Sequence, residues 1–156
     1  MHPALLHALH VSAMSHFLND SSAQAAAKDS IGQEPEFLRS VSPESKKKYY
    51  AILSDKFSPK STVQSRLDEW ASQQSDAVKA AYAKFKSNAI EDVAKLTNKV
   101  EDTQYSAASK SAIRRINSLN AKNETSLGEG AELYSQIVES LAENERREVH
   151  DFFSNF

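Results

Sequence analysis

The sequence contains no cysteine, which excludes a disulfide framework, thiolate zinc sites and cysteine nucleophiles. Glycine and proline are also scarce, with 3 and 4 residues among 156. So few turn-forming residues argue against a turn-rich β fold, and they nearly exclude a Gly-rich phosphate-binding loop. A helical protein is therefore expected.

The chain also lacks a dominant charge and a long apolar run. Its 19 basic and 21 acidic side chains give a formal net charge of −2, which is too small to attract phosphate backbones. The only basic run, Lys46 to Lys48, fans around a helix instead of forming a stripe. No apolar run approaches the roughly 20 residues that span a bilayer. We expect neither nucleic-acid binding nor a membrane span.

What is present is the pattern of one helical domain. We predict an all-α, compact bundle of five to six helices around one long central helix. Ser42-Pro43-Glu44 begins the first helix, and a second begins near Ser61. The long helix is predicted over 76–101, because its apolar residues recur every three or four positions. They are Val78, Tyr82, Phe85, Ala89, Val93, Leu96 and Val100. Further helices are expected after caps at Ser106 and Ser126, and from Glu145 to Phe153.

The N-terminal part does not fit this pattern. In residues 1–27 an apolar stretch precedes small residues of the type that signal peptidase prefers, but no Lys or Arg precedes the apolar region. A secretory signal, a frayed amphipathic helix and a mispredicted first exon all remain open. Residues 28–41 are interpreted as a linker that delivers Phe37 and Leu38 to the helical domain at 42–156.

The segment "NETSLGEG" at 123–130 supports three interpretations. Asn123 begins a glycosylation pattern, which matters only if the chain is secreted. Ser126 and Glu129 have the spacing of a capping box at a helix start. Asn123 and Glu124 are oxygen donors in a turn between helices, where a hard cation is commonly bound.

Several stretches resemble the nematode SXP/RAL family, small secreted helical proteins of roundworms that include Anisakis allergens. The matching stretches are "EFL" at 36–38, "KKYYAIL", "QSRLDEWASQQ", the long helix from "YAKFKSN", and "AKNETSLGEGAELYSQIVESLAENERREV". The resemblance implies an all-helical, secreted, antigen-like protein without enzymatic activity. It also implies a cation-binding domain that is loosely EF-hand-like and prefers magnesium over calcium.

The sequence departs from the EF-hand ligand pattern. A loop that starts at Asp55 has Arg66 where a bidentate carboxylate is needed, and one that starts at Asn120 has Ala131 there. What remains is a hydrated magnesium or calcium ion held weakly by Asn123, Glu124 and Glu129, because magnesium needs only one or two carboxylates. The competing interpretation is that Glu129 only closes the capping box, and that the other two are ordinary turn residues.

No catalytic residues are predicted, since His150 has no nucleophile assigned to it. The predicted function is weak divalent-cation binding coupled to a partner or host protein. The alternative is a carrier of small hydrophobic ligands such as fatty acids or retinol. The cavity of such a carrier would be lined by Tyr49, Tyr82, Phe85, Leu96, Ile116 and Tyr134.

Overall fold

The computed structural model describes residues 35–155, and within them the chain forms seven helices and no strand. The predicted all-α fold is confirmed. The helices are α1 (Glu36–Arg39), α2 (Pro43–Leu53), α3 (Lys60–Ser72), α4 (Asp76–Asp102), α5 (Ala107–Ala121), α6 (Leu127–Glu139) and α7 (Glu143–Ser154). The seventh, additional to the predicted six, is the single turn α1. The possible signal segment at 1–27 lies outside the described residues.

Serine side chains begin most of these helices. The hydroxyls of Ser42, Ser75, Ser106 and Ser126 each accept a hydrogen bond from the backbone N–H three residues later. Such a bond satisfies one of the N–H groups that a helix leaves unpaired at its start. The predicted caps at Ser42, Ser106 and Ser126 are therefore confirmed. Helix α3 begins instead after Pro59, without a side-chain cap.

The apolar stripe of α4 divides between two hydrophobic clusters. Its first half packs into a cluster formed with α1, α2 and α3. Its second half packs into a cluster formed with α5, α6 and α7. Of the seven predicted stripe residues, Phe85 and Val93 are half-buried and the other five are buried. The long helix thus connects two helix pairs, α2 with α3 and α5 with α6.

Aromatic rings fill the first cluster around Phe37 of α1. The Phe37 ring centroid lies 5.5 Å from that of Tyr49 and 5.4 Å from that of Tyr82, both in edge-to-face geometry. It also lies 6.1 Å from the Trp70 ring, so it touches α2, α3 and α4 at once. Phe37 and Leu38 are fully buried. The segment 28–41, which was interpreted as a linker, therefore includes a helix that is part of this core.

The second cluster is mainly aliphatic. Ile113 and Ile116 of α5 are buried against Leu96 and Val100 of α4 and Ile137 of α6. Its buried aromatic members are Tyr134 of α6 and Phe152 of α7. The ring of Tyr105, which precedes α5, lies edge-to-face against Phe152 at 6.4 Å. None of the helices within residues 35–155 is both long enough and apolar enough to cross a bilayer.

Candidate cation site in the paired loops

Two inter-helix loops meet side by side. The first loop, residues 54–59, joins α2 to α3, and the second loop, residues 122–126, joins α5 to α6. Pro59 and Ser126 form an isolated antiparallel bridge. The backbone N–H of Lys60 donates to Thr125 O at 3.1 Å, and that of Ser61 donates to Asn123 O at 3.0 Å. The first turn of α3 is therefore held by the second loop.

A third bond holds the first loop against the start of α6. Gly128 N donates to the carbonyl oxygen of Lys56 at 2.9 Å. A Cβ atom built at Gly128 would also lie 2.9 Å from that oxygen, closer than side-chain carbons normally approach backbone. Only glycine fits this contact without moving the loops apart.

The second loop ends in a complete capping box. Ser126 Oγ accepts a hydrogen bond from Glu129 N at 3.1 Å, and Glu129 Oε2 accepts one from Ser126 N at 2.8 Å. The box predicted from the sequence is therefore confirmed. One oxygen of the Glu129 carboxylate is engaged by it, so any cation bound there has to use the other oxygen.

The other two predicted ligands lie beside this box. Asn123 is half-buried, and its backbone oxygen is engaged by Ser61 N. Glu124 is exposed, and its carboxylate has no hydrogen-bond or ion-pair partner among residues 35–155. The three residues thus share one loop and the first turn of α6. No group of three or more His, Cys, Asp or Glu side chains suited to a metal ion occurs in the described part of the chain.

The carboxylate of Asp55 in the first loop is paired with an arginine of α3. Asp55 Oδ1 accepts hydrogen bonds from the backbone N–H groups of Phe57 at 3.0 Å and Ser58 at 2.9 Å. Asp55 Oδ2 lies 2.6 Å from Arg66 Nη1. Hydrogen bonds from Ser58, then from Phe57 N–H and Arg66, hold the pKa of Asp55 well below its usual range. This carboxylate is therefore fully occupied by the protein, and the loop does not fit a metal ion.

A buried lysine, Lys60, lies where the loops meet, and sequence reasoning missed it. Its side chain is 2% exposed, and Nζ donates to Leu119 O at 2.9 Å and Asn120 O at 3.4 Å. Burial lowers the pKa of Lys60 to about 8. One feature of the sequence could have indicated it. A lysine in the first turn of a helix is repelled by the positive end of that helix's dipole, so a buried lysine there needs a partner from another segment.

The ligand cavity expected for a hydrophobic carrier is not formed by the predicted residues. Tyr49, Tyr82 and Phe85 belong to the first cluster, whereas Leu96, Ile116 and Tyr134 belong to the second. The six side chains therefore do not surround one space. They contribute to two separate packed cores, as large apolar side chains usually do.

Comparison with protein families supports the family resemblance noted in the sequence. A family model described as "SXP/RAL-2 family protein Ani s 5-like, metal-binding domain" matches residues 4–106, more than half of the chain. The chain belongs to the SXP/RAL-2 family. No curated protein and no solved structure matches it. The first loop lies within the residues matched by the family model, and the second loop lies beyond them.

Proposed function

We propose that this SXP/RAL-2 family chain is a secreted, non-enzymatic protein that binds magnesium or calcium weakly. We further propose that it acts through contact with a partner or host protein, as an antigen-like molecule. The observation that carries cation binding is the match of residues 4–106 to a family model whose description includes a metal-binding domain. The second loop lies beyond the matched residues, and the choice of ligands there rests on the geometry of the loop alone. The proposed partner is a protein that recognises the folded surface.

The proposed ligands are Asn123, Glu124 and Glu129, in the second loop and the first turn of α6. The contrast between the two loops supports this choice. In the first loop the carboxylate of Asp55 is paired with Arg66, whereas in the second loop the carboxylate of Glu124 has no partner among residues 35–155. Glu129 contributes the carboxylate oxygen that is not engaged by the capping box. These groups fit an ion that keeps several of its waters.

Two features predict low affinity at this site. Only two carboxylates contribute, and one of them is already shared with a backbone N–H. The buried ammonium of Lys60 also lies against the carbonyls of Leu119 and Asn120, just before the second loop, and repels a cation there. Magnesium, which needs few protein ligands when hydrated, suits such a site better than calcium, which needs six to eight oxygens.

A titration with magnesium and calcium chloride, followed by NMR amide shifts, tests the cation proposal. Saturable shifts concentrated at residues 120–129 are expected. They should be lost in Glu124→Gln and kept in Glu91→Gln, which removes an exposed carboxylate of α4 and serves as the matched control. Shifts that spread over all acidic surface residues, or that survive Glu124→Gln, would count against this site.

Secretion is tested separately. The full-length chain, expressed in eukaryotic cells, is expected in the medium, and N-terminal sequencing of the secreted material should begin after the small residues near position 27. Attachment of a glycan at Asn123 would support passage through a secretory lumen, since the acceptor pattern is modified only there. Retention of residues 1–27 in material from inside the cells would contradict the secretory interpretation.

A further inference from the structure

Helices α5 and α6 enclose an open groove of about 230 Å³ on the surface of the second helix pair. Its floor is apolar, with Ile137 buried and Leu119 and Leu133 half-buried. Two polar side chains, Ser118 and Gln136, also line it. The groove is smaller than the 300–1,000 Å³ typical of small-molecule pockets. We therefore expect the charged side chains along its edges to determine what binds there.

The edge of the groove on the α5 side is basic. Arg115 of α5 and Lys122, the residue that directly follows α5, both line the groove. They stand seven residues apart, which corresponds to about 10 Å along the helix direction. Both are exposed, and neither forms an ion pair with a carboxylate within residues 35–155. Two cations with a fixed spacing thus face outward beside an apolar floor.

The side of α6 next to the groove is acidic. Glu132 and Glu139 stand four residues before and three residues after Gln136, so they share its side of the helix. They too are seven residues apart and exposed, and neither has an ion-pair partner in the described part of the chain. The groove is therefore flanked by a basic row and an acidic row of equal spacing.

The two rows run in matching order along the groove. Helices α5 and α6 pack together and are joined by the short second loop, so they run in opposite directions. Lys122 is the member of the basic row nearer that loop, and Glu132 is the member of the acidic row nearer it. A two-fold axis along the groove would place α5 of each copy antiparallel over α6 of the other. Each basic row would then face an acidic row in the same order.

We propose that a second copy of this chain docks on the α5–α6 groove. In this dimer Arg115 faces Glu139 of the partner subunit and Lys122 faces Glu132 of the partner subunit, and the two-fold axis doubles both pairs. The presence of both signs selects this occupant. An anionic ligand would meet the glutamates and a cationic one the basic row, whereas a second copy presents both rows at the spacing required.

The small apolar floor predicts a weak and salt-sensitive dimer. Stable interfaces bury about 1,200–2,000 Å² in total, much of it apolar at the centre, and this groove offers only three apolar side chains. We expect association at about 0.1 mM protein in low salt, which weakens as added salt screens the rows.

Sedimentation equilibrium on the full chain, combined with charge reversal, tests the proposal. One double variant, Arg115→Glu with Lys122→Glu, makes both rows acidic, and another, Glu132→Lys with Glu139→Lys, makes both basic. Each alone should dimerise at least about tenfold more weakly than the wild type, because four pairs become repulsive. An equimolar mixture of the two should recover the association, since each variant then faces its complement.

The control is Lys84→Glu with Arg147→Glu, which changes the net charge equally at exposed sites on α4 and α7 and should dimerise as the wild type does. Circular dichroism melting verifies that all variants remain folded. A wild type that stays monomeric up to about 1 mM in low salt would overturn the proposal and assign the groove to some other occupant. So would a dimer that is insensitive to both reversals, or a mixture that stays monomeric.

Discussion

The ammonium group of Lys60 lies 2.9 Å from the carbonyl oxygen of Leu119, so the first turn of α3 is tied to the last turn of α5. The Leu119 carbonyl also accepts from Lys122 N at 3.2 Å, so the ammonium adds a second bond there, and it donates to Asn120 O at 3.4 Å as well. Both carbonyls lie at a helix C-terminus, where the helix dipole favours a positive charge. Because α3 belongs to the first helix pair and α5 to the second, Lys60 links the two halves of the fold beside the paired loops.

Replacement of Lys60 by alanine should therefore destabilise the whole domain. The variant loses two hydrogen bonds from a charged donor and leaves space where the buried side chain packed. We expect the free energy of unfolding to fall by about 2 kcal/mol, as measured by urea denaturation. Lys84→Ala on the exposed face of α4 is the control, and its effect should stay within about 0.5 kcal/mol. Equal effects of the two variants would show that the Lys60 contact contributes nothing.

The lowered pKa of Lys60 predicts that the free energy of unfolding rises with pH. A lysine whose pKa is raised by an ion pair would have the opposite effect. Burial lowers the pKa from 10.5 to about 8 in the folded protein, so between these values the unfolded chain binds a proton that the folded chain has released. Unfolding then takes up a proton, and the free energy of unfolding rises with pH across this window. Below pH 8 both states are protonated, and this contribution no longer changes.

Urea denaturation between about pH 7 and pH 10 measures this effect when the wild type is compared with Lys60→Gln. The glutamine variant contains the same other titrating groups, so the difference between the two proteins isolates Lys60. We expect the wild type to gain stability relative to the variant as the pH rises from about 8. A difference that is constant with pH would contradict the pKa assigned to the buried amine.

Gly128 should be intolerant of even a methyl group. The Cβ of Gly128→Ala would meet the backbone oxygen of Lys56 at 2.9 Å, and that oxygen cannot rotate away as a side chain would. The loops must separate, which strains the hydrogen bond from Gly128 N and the bridge between Pro59 and Ser126. A loss of about 1–3 kcal/mol is expected. Amide shifts should concentrate at 54–60 and 122–128, and shifts confined to α6 would contradict the loop contact.

The features that sequence reasoning predicted are those that depend on local spacing. The stripe from Val78 to Val100 has the helical period, and the caps at Ser42, Ser106 and Ser126 are set by residues within one turn. Such signals need no knowledge of distant contacts, because both the apolar face and the capping bond belong to a single segment. The Ser126 and Glu129 capping box is the clearest case in the candidate site.

The features that could not be predicted from the sequence depend on residues far apart in the chain. Lys60 contacts carbonyls about sixty positions away, and Arg66 neutralises Asp55 from the next helix. The division of the α4 stripe between two clusters follows from where the helix pairs dock, which periodicity does not encode. The residues suggested for the alternative carrier cavity lie apart for the same reason: Tyr82 and Leu96 share a helix face but belong to different cores.

The capping box offers the most local test of the second loop. Ser126→Ala removes the hydroxyl that accepts from Glu129 N, so one backbone donor in the first turn of α6 loses its partner. The backbone N–H at position 126 remains and can still donate to Glu129 Oε2, as the N–H of Ala142 does to Glu145 in α7. We expect a loss of about 1 kcal/mol in the free energy of unfolding. Ser135→Ala, on the exposed face inside α6, is the matched control and should be neutral or slightly stabilising, because alanine favours the helix interior. If both variants unfold at the same urea concentration as the wild type, the cap does not stabilise this helix.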